Sequence, residues 1–334
     1  APNSGAFEWR RRRPDVHSSV VVAETGGSLR FFAAKWGGDV LQSTDGETWT
    51  GAGTGFPTGI GRIALGVRRA DPSRLYALVA TTAGALQGVY RLDGGGGAWK
   101  RIASPPNILP GGSQGDYDLA IAVDPNDSDL VYLGGSYANA TPWPGSVWRS
   151  RVQSTATGLK FAGSASIGTH AHADVHVLVP TPNDSNELWC GCDGGVFLNR
   201  AARTVGQFAG VNNGLACLCS NFISQHPTDP NILFTGLQDN GTARTSGGSA
   251  WTHVGYGDGG YCLVNWADPN RVLTFANGKV NRSTTGGTSH SGWSEVWSFG
   301  WATMTQPIVS MPYNAGAATE AEWVAVGAGN LVYV

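Results

Sequence analysis

VDPNDSDLVYLGG (123–135) decides the fold. An apolar run stops at an Asp-Pro turn, and a second apolar run starts directly after it and ends in Gly-Gly, which reads as two short strands joined by a tight turn. The pattern recurs on both sides, in ADPSRLYALV (70–79), TPNDSNELWCGCDGG (181–195), HPTDPNILFTGLQDNG (226–241) and ADPNRVLTFANG (267–278). The turn prolines Pro72, Pro125, Pro182, Pro230 and Pro269 are spaced 39 to 57 residues apart. A period of that length means a propeller or a solenoid.

A third short strand, a Gly-rich turn and an aromatic residue follow each pair. VLQSTDGETWT (40–50) is the clearest copy, echoed by VYRLDGGGGAWK (89–100), ARTSGGSAWT (243–252) and VNRSTTGGTSHSGWSEV (280–296). Each unit therefore has four strands, A to D. Six units read as 17–57, 58–108, 112–168, 170–215, 216–256 and 258–301, and 302–334 supplies about three strands of a seventh. Residues 5–13, GAFEWRRRR, have the character of an outer strand, so pairing of the termini would close the ring and remove a free edge. The expectation is an all-β chain forming a single β-propeller of seven four-stranded blades. No apolar repeat at i, i+3, i+4 and i+7 is sustained, so helices should be minor.

Composition agrees. Of 334 residues 49 are Gly and 13 are Trp, and only 14% are charged, which suits short strands and tight turns. A net charge of −2 provides no basic field for nucleic acid. No apolar stretch reaches a bilayer-spanning length, and the start at Ala-Pro-Asn, without Met or a signal sequence, reads as a processed product. Cys190 and Cys192 lie two apart, as do Cys217 and Cys219, with Cys262 alone. Neighbours two apart on a strand share a face, so neither pair should bond within itself, whereas a bridge between the pairs needs adjacent strands.

Polar clusters gather where strands turn into loops: GDYD (115–118), GGSYANATPWPGS (134–146), THAHADVH (169–176), CDGG (192–195), LQDNGT (237–242) and GYGDGG (255–260). In a propeller the segments leading into A strands share a face with the B–C hairpins. These clusters should therefore converge on one channel mouth. The expected ligand-binding residues are His172, Asp174, His176, Asp193, Gln238, Asp239, Asn240, Asp258, Tyr137, Trp143 and Tyr256. His172, Asp174 and His176 are read as alternating on one strand, with His170 in phase. Asp174, Asp193, Asp239 and Asp258 are the candidate metal ligands, and clustered carboxylates with turn carbonyls would favour Ca²⁺.

STDGETW (43–49) resembles the Asp box of bacterial-neuraminidase repeats, with Ser43, Asp45, Gly46, Thr48 and Trp49 in place. The order GDYDLAIAVDP (115–125), HADVH (172–176), DGGVF (193–197), NNGL (212–215), HPTDPN (226–231), QDNGT (238–242) and GDGGY (257–261) resembles secreted bacterial propellers of that class. Those are relatives in fold of the sortilin ectodomain and of the xyloglucanases of glycoside hydrolase family 74. The resemblance implies a secreted or cell-surface propeller, standing alone or within a larger surface assembly. Sialidase chemistry needs an arginine triad at the channel, whereas Arg200, Arg203, Arg244 and Arg282 fall near C strands or the C–D side. The xyloglucanases work between two facing propellers.

Three functions follow. A carbohydrate or extracellular protein could bind at exposed Tyr137, Trp143 and Tyr256. Alternatively, a glycoside hydrolase could use two carboxylates drawn from Asp116, Asp118, Asp174, Asp193, Asp239 and Asp258. A structural or protein-docking propeller would instead satisfy its polar clusters internally.

Overall fold

The repeated Asp-Pro turn has a local cause. In four copies the carboxylate of the Asp accepts the backbone N–H two residues on: Asp71 from Ser73, Asp124 from Asn126, Asp229 from Asn231 and Asp268 from Asn270, at 2.9 to 3.2 Å. This side chain closes the turn while the adjacent Pro fixes φ. The computed structural model describes residues 13–94, 96–138, 143–182, 184–204, 206–215, 218–298, 308–310, 324–328 and 331–333. The chain forms two compact units, Ala1–Gly214 and Leu215–Val334.

In the first unit, β1 (His17–Thr25), β2 (Ser28–Lys35), β3 (Val40–Ser43) and β4 (Thr50–Gly51) make an antiparallel meander. The same order recurs in β5 (Ile60–Arg68), β6 (Asp71–Thr81), β7 (Leu86–Asp93) and β8 (Lys100–Ala103), and in β9 (Ala120–Asp124), β10 (Asp127–Tyr137), β11 (Gly145–Thr155) and β12 (Gly158–Ser166). The unit ends with β13 (Val175–Thr181), β14 (Asp184–Cys192), β15 (Gly195–Asn199) and β16 (Phe208–Gly210). The second unit repeats the plan in β17 (Ser220–Gln225), β18 (Ile232–Leu237), β19 (Gly241–Ser246) and β20 (Thr252–Gly255), and in β21 (Gly259–Val264), β22 (Val272–Ala276), β23 (Lys279–Ser283) and β24 (Trp293–Ser298). A three-stranded sheet follows, β25 (Ile308–Ser310), β26 (Val324–Ala328) and β27 (Leu331–Tyr333). Among the described residues the only helix is a single 3₁₀ turn, His290–Gly292.

First strands stand side by side: β1 by β5, β5 by β9 and β9 by β13 in one unit, β17 by β21 and β21 by β25 in the other. Apolar clusters fill the spaces between successive sheets. Phe32, Ile63, Leu75 and Leu92 lie between the first two, Tyr76, Leu78, Val131 and Leu133 between the next two, and Tyr132, Val175, Leu188 and Phe208 between the last two of that unit. Phe234 with Val272, and Phe275 with Ile308, do the same in the second unit. Sheets that cover each other's faces around neighbouring first strands are blades of a propeller, so each unit is a sector of that architecture.

Two details stand outside the sequence reading. β8 and β12 pair in parallel through Ile102 and Leu159, which joins the second and third meanders into one eight-stranded sheet. The late-strand tryptophans also act across sheets. The Trp99 indole N–H donates to the Ala52 carbonyl at 2.7 Å, and that of Trp293 to Val254 at 2.7 Å, each reaching the end of the preceding sheet. Trp49 donates to Gly46 inside its own turn instead. In that turn Asp45 accepts the N–H groups of Glu47 and Thr48 at 2.8 Å and the Ser43 hydroxyl at 2.9 Å, which holds its carboxyl down at about 2. Cys190, Cys192, Cys219 and Cys262 are free thiols. Cys217 and nearly all of the N-terminal stretch 5–13 lie outside the described residues.

Candidate functional site

Backbone hydrogen bonds build the site in the first unit. The segment 169–174 was expected to continue a strand, but β13 begins only at Val175. His170 and Asp174 both take positive φ, 69° and 61°, so the alternation of His170, His172 and Asp174 is lost and only His176 lies on the strand. The segment threads through close quarters. A Cβ on Gly168 would sit on the Gly145 carbonyl, and a Cβ on Gly145 on that of His172. Its polar groups serve several strands: Gly145 N–H donates to Ala171 at 3.0 Å, Phe208 N–H to Thr169 at 3.0 Å, and Asp174 N–H to Ser136 at 2.9 Å.

This path carries Asp174 and His176 up to two other turns. Cys192 pairs with Gly195, leaving Asp193 and Gly194 as a two-residue hairpin turn. Asn212 locks it by accepting the Val196 N–H at 2.7 Å and donating to the Gly194 carbonyl at 3.1 Å. His176 Nε2 bonds directly to Asp193 Oδ1. The Tyr117 hydroxyl donates to the same carboxylate at 3.1 and 3.3 Å, and its ring meets the His176 ring edge-on at 4.7 Å. Asp193 therefore holds the His176 imidazole above its ordinary range.

Asp118 lies behind this layer. It is fully buried, its Oδ1 is 3.9 Å from His176 Nδ1, and neither oxygen meets regular hydrogen-bond geometry with a donor among the described residues. Burial pushes its carboxyl up to about 9, and the neighbouring charges of Asp174 and Asp193 act in the same direction. Asp174 is also raised, chiefly by burial, while the proton that Asp118 offers it works against that rise. The pair thus shares a proton, with Asp118 as donor. Arg62, on β5, is the nearby permanent cation, and its guanidinium donates to the backbone carbonyls of Tyr117 and Asp116.

An aromatic pair adjoins this corner. Tyr137, the last residue of β10, and Trp143, just before β11, meet edge-on at 5.1 Å, and Trp143 is 54% exposed. Ser136 bonds Asp174, and Pro144 bridges to His172, so the pair is tied to the segment that carries the carboxylates. His172 Nδ1 lies 3.2 Å from the Ala173 carbonyl, and its ring crowds Gly194. Asp116 is exposed on the approach to β9.

Gln238, Asp239, Asn240, Tyr256 and Asp258 belong to the second unit, where turn chemistry occupies most of them. Asp258 accepts the Asp239 N–H at 3.1 Å, and Asn277 accepts the Asp258 N–H at 2.8 Å. Asn240 donates to the Gln238 carbonyl. Asn277 and Gly278, both at positive φ, form the two-residue turn between β22 and β23 that Asn-Gly favours. Tyr256 stacks on His290 at 4.0 Å and meets His253 edge-on at 5.4 Å.

Sequence reasoning missed Tyr117 and Arg62. Tyr117 sits inside the quoted GDYD and carried a signal; a lone Arg in the apolar strand IGRIALGVR had none. As for metals, the carboxylate oxygens of Asp174 and Asp193 come within 4.8 Å of one another, a spacing that a hard cation could bridge. No helix among the described residues is long and apolar enough to cross a membrane.

No protein-family model and no curated protein matches this chain. Among solved structures it is similar to the GH74 xyloglucanase from Xanthomonas campestris, at 16% identity over 98% of this chain and 53% of that one, with a TM-score of 0.42. It is similar also to the GH74 enzyme of Niastella koreensis, at 16% identity over 92% and 53%, TM-score 0.39. A third is YCF48 bound to D1 peptide, at 12% identity over 87% and 85%, TM-score 0.39. The chain spans about half the length of the two GH74 enzymes.

Proposed function

We propose that this protein is a carbohydrate-binding β-propeller, secreted or held at the cell surface, whose ligand lies on Tyr137 and Trp143 and reaches the carboxylates of Asp174 and Asp193. The observation that carries the reading is the joining of an aromatic pair, an exposed Trp143 edge-on to a half-buried Tyr137, to a preformed polar corner. Ring faces suit the C–H surfaces of sugars, and carboxylates with a tyrosine hydroxyl and an imidazole suit their hydroxyls. The corner comes from separate segments, 117–118, 136–138, 143–144, 172–176 and 193, each held by bonds that require no ligand.

In this reading the seven blades form one ring, with residues 5–13 supplying the strand that β25, β26 and β27 lack. The hydrogen-bonded Ser43–Trp49 turn supports placing the chain among neuraminidase-repeat propellers. A glycan array, followed by titration of the best binder, tests the function. Trp143→Ala should weaken binding at least tenfold with the fold intact. An array without binders, or a variant that binds as well as the parent, would favour the structural or protein-docking reading.

A hydrolytic reading rests on Asp118 and Asp174, since a protonated acid beside a second carboxylate is what glycosidic cleavage uses. Full burial of Asp118 keeps it from a sugar oxygen, so binding is preferred. Release of reducing ends from a bound oligosaccharide, lost in Asp174→Asn, would reverse that preference.

A further inference from the structure

We propose that a cleft between the first two meanders is a second binding site, which takes its ligand through a carboxylate group held by Arg30 and Arg68. The inference does not depend on the carbohydrate reading of the corner.

The cleft has a volume of about 370 Å³, and Thr25, Arg30, Arg68, Asp71, Ser73 and Gly94 are among its lining residues. Pockets of that size take small molecules. Arg30 stands on β2, and Arg68 ends β5, the strand whose third residue is Arg62. The cleft therefore lies at the other end of the strands from the corner.

One cation in it is left over. The Arg68 Nε donates to the Pro125 carbonyl at 2.7 Å, and its Nη1 lies 3.9 Å from Asp71 Oδ2. Asp71 also accepts the Ser73 N–H at 2.9 Å and the Ser128 hydroxyl at 3.0 Å. Arg30 is half-buried and has no hydrogen-bond or ion-pair partner among the described residues. At the rim, Asp93 is taken by Arg91 and Lys100, while the exposed Glu24 and Arg69 carry one charge of each sign. Arg68 and Asp71 offset one another, so the Arg30 charge has no answer.

The next junction along the chain shows what is missing. Arg30 and Arg74 each stand two residues before a fully buried ring, Phe32 on β2 and Tyr76 on β6. Arg68 pairs with Asp71 as Asp124 pairs with Asp127, so Ser73 and Asp129 correspond, and the N–H of each goes to the Asp of its own turn. Asp129 places one oxygen on Arg74 and the other on Arg91. At the first junction Ser73 stands where that carboxylate would be. Gln42 replaces Arg91, since Phe32 pairs with Gln42 as Tyr76 pairs with Arg91. A ligand carboxylate would restore the arrangement, with Arg30 in the part of Arg74 and Arg68 as the second cation. Guanidinium forks suit the two oxygens of a carboxylate, and an Arg68 already fixed by Pro125 loses little freedom on binding. The carboxylate can arrive on a small free acid or on the uronate end of a glycan.

The test follows the arginine Nε–H signals of the ¹⁵N-labelled protein by NMR at pH 6.5 and low salt, during titration with galacturonate, acetate, galactose and sulfate. Both carboxylates should shift the Arg30 and Arg68 signals to saturation, galactose should leave them in place, and 0.3 M NaCl should weaken binding about threefold or more. Galacturonate binding about tenfold tighter than acetate supports the site and assigns it to a uronate, and equal binding supports it for a free acid. Arg30→Gln should weaken both acids about tenfold. Ser73→Asp supplies the carboxylate of the second junction and should do the same by occupying Arg30; a Ser73→Asp protein that binds galacturonate as well as the parent would overturn the inference. So would carboxylates that leave both arginine signals unmoved. Sulfate bound more tightly than either acid would overturn the carboxylate assignment in favour of a tetrahedral oxyanion. The ligand and salt comparisons use the parent protein, so the test holds even where a variant fails to fold.

Discussion

Replacing Asp118 by Asn should stabilise the protein at neutral and alkaline pH and leave it unchanged in acid. The carboxyl is fully buried and held up to about 9 against an ordinary 3.8. A group whose folded value is raised contributes stability that is fully present below the unfolded value and is lost as pH rises toward the folded one. The loss therefore begins near pH 4 and runs to about pH 9. Each pH unit in that window costs about 1.4 kcal/mol for an isolated group, a ceiling of about 4 kcal/mol by pH 7. Asp174 shares the proton and Arg62 opposes the rise, so half of the ceiling, about 2 kcal/mol, is the expected gain. Asn is neutral at every pH and keeps a donor toward Asp174, so the variant loses the penalty without losing the contact. The assay is urea denaturation of both proteins at half-unit steps from pH 4 to 9. Asp174 and His176 titrate in both proteins, so the difference between the two curves isolates Asp118. A difference that is flat across the range would show that Asp118 ionises normally and would refute the proton-sharing pair.

Trp99→Ala should cost about 3 to 5 kcal/mol, because it empties a buried indole site against Phe56 and frees the Ala52 carbonyl; denaturant titration measures it, and a loss under 1 kcal/mol would remove the indole as the link between sheets. Asp45→Ala should lower the melting temperature above pH 4 and converge with the parent toward pH 2, since a depressed carboxyl contributes above its unfolded value and loses that contribution as pH falls through about 2. Parallel melting curves from pH 2 to 7 would contradict this. Gly236→Ala should destabilise by about 3 kcal/mol or abolish folding, as the added methyl would sit on the Gly260 carbonyl, whereas Gly27→Ala meets open space and should cost about 1 kcal/mol for its positive φ alone. Equal losses at the two sites would show that close approach of backbones is not what requires Gly236.

The meanders were legible because their signals are local. An Asp whose side chain bonds two residues ahead, a Pro that fixes φ, and an Asn-Gly pair at a two-residue hairpin are each complete within five residues, and each turned up where the sequence puts it. The parallel pairing of β8 with β12 had no such signal. It joins residues more than fifty apart through two short stretches, 102–103 and 159–160, whose composition suits an outer strand with or without a neighbour. The role of Trp99 and Trp293 was half legible: an aromatic residue recurs after each Gly-rich turn, but which carbonyl its N–H finds depends on how adjacent sheets stack.

The candidate site shows the limit most clearly at HADVH. Alternating polar and apolar residues imply a strand only if successive N–H and C=O groups find partners on neighbouring strands in register, and from 169 to 174 they do not. The carbonyls of Thr169 and Ala171 go to Phe208 and Gly145, and the N–H of Asp174 goes to Ser136, so one short segment is shared among three parts of the unit. That sharing needs a chain reversal at His170 and Asp174, and Asp is among the few non-glycine residues that accept positive φ at modest cost. The residue type that suggested a ligand group is thus also the one that lets the backbone turn, and the turn is what sets the Asp174 carboxylate against Asp118 and Asp193. A regular strand would have pointed His172, Asp174 and His176 to one side as a row at different depths. The turn gathers instead the carboxyls of Asp118, Asp174 and Asp193 around Tyr117 and, from the start of β13, the His176 imidazole.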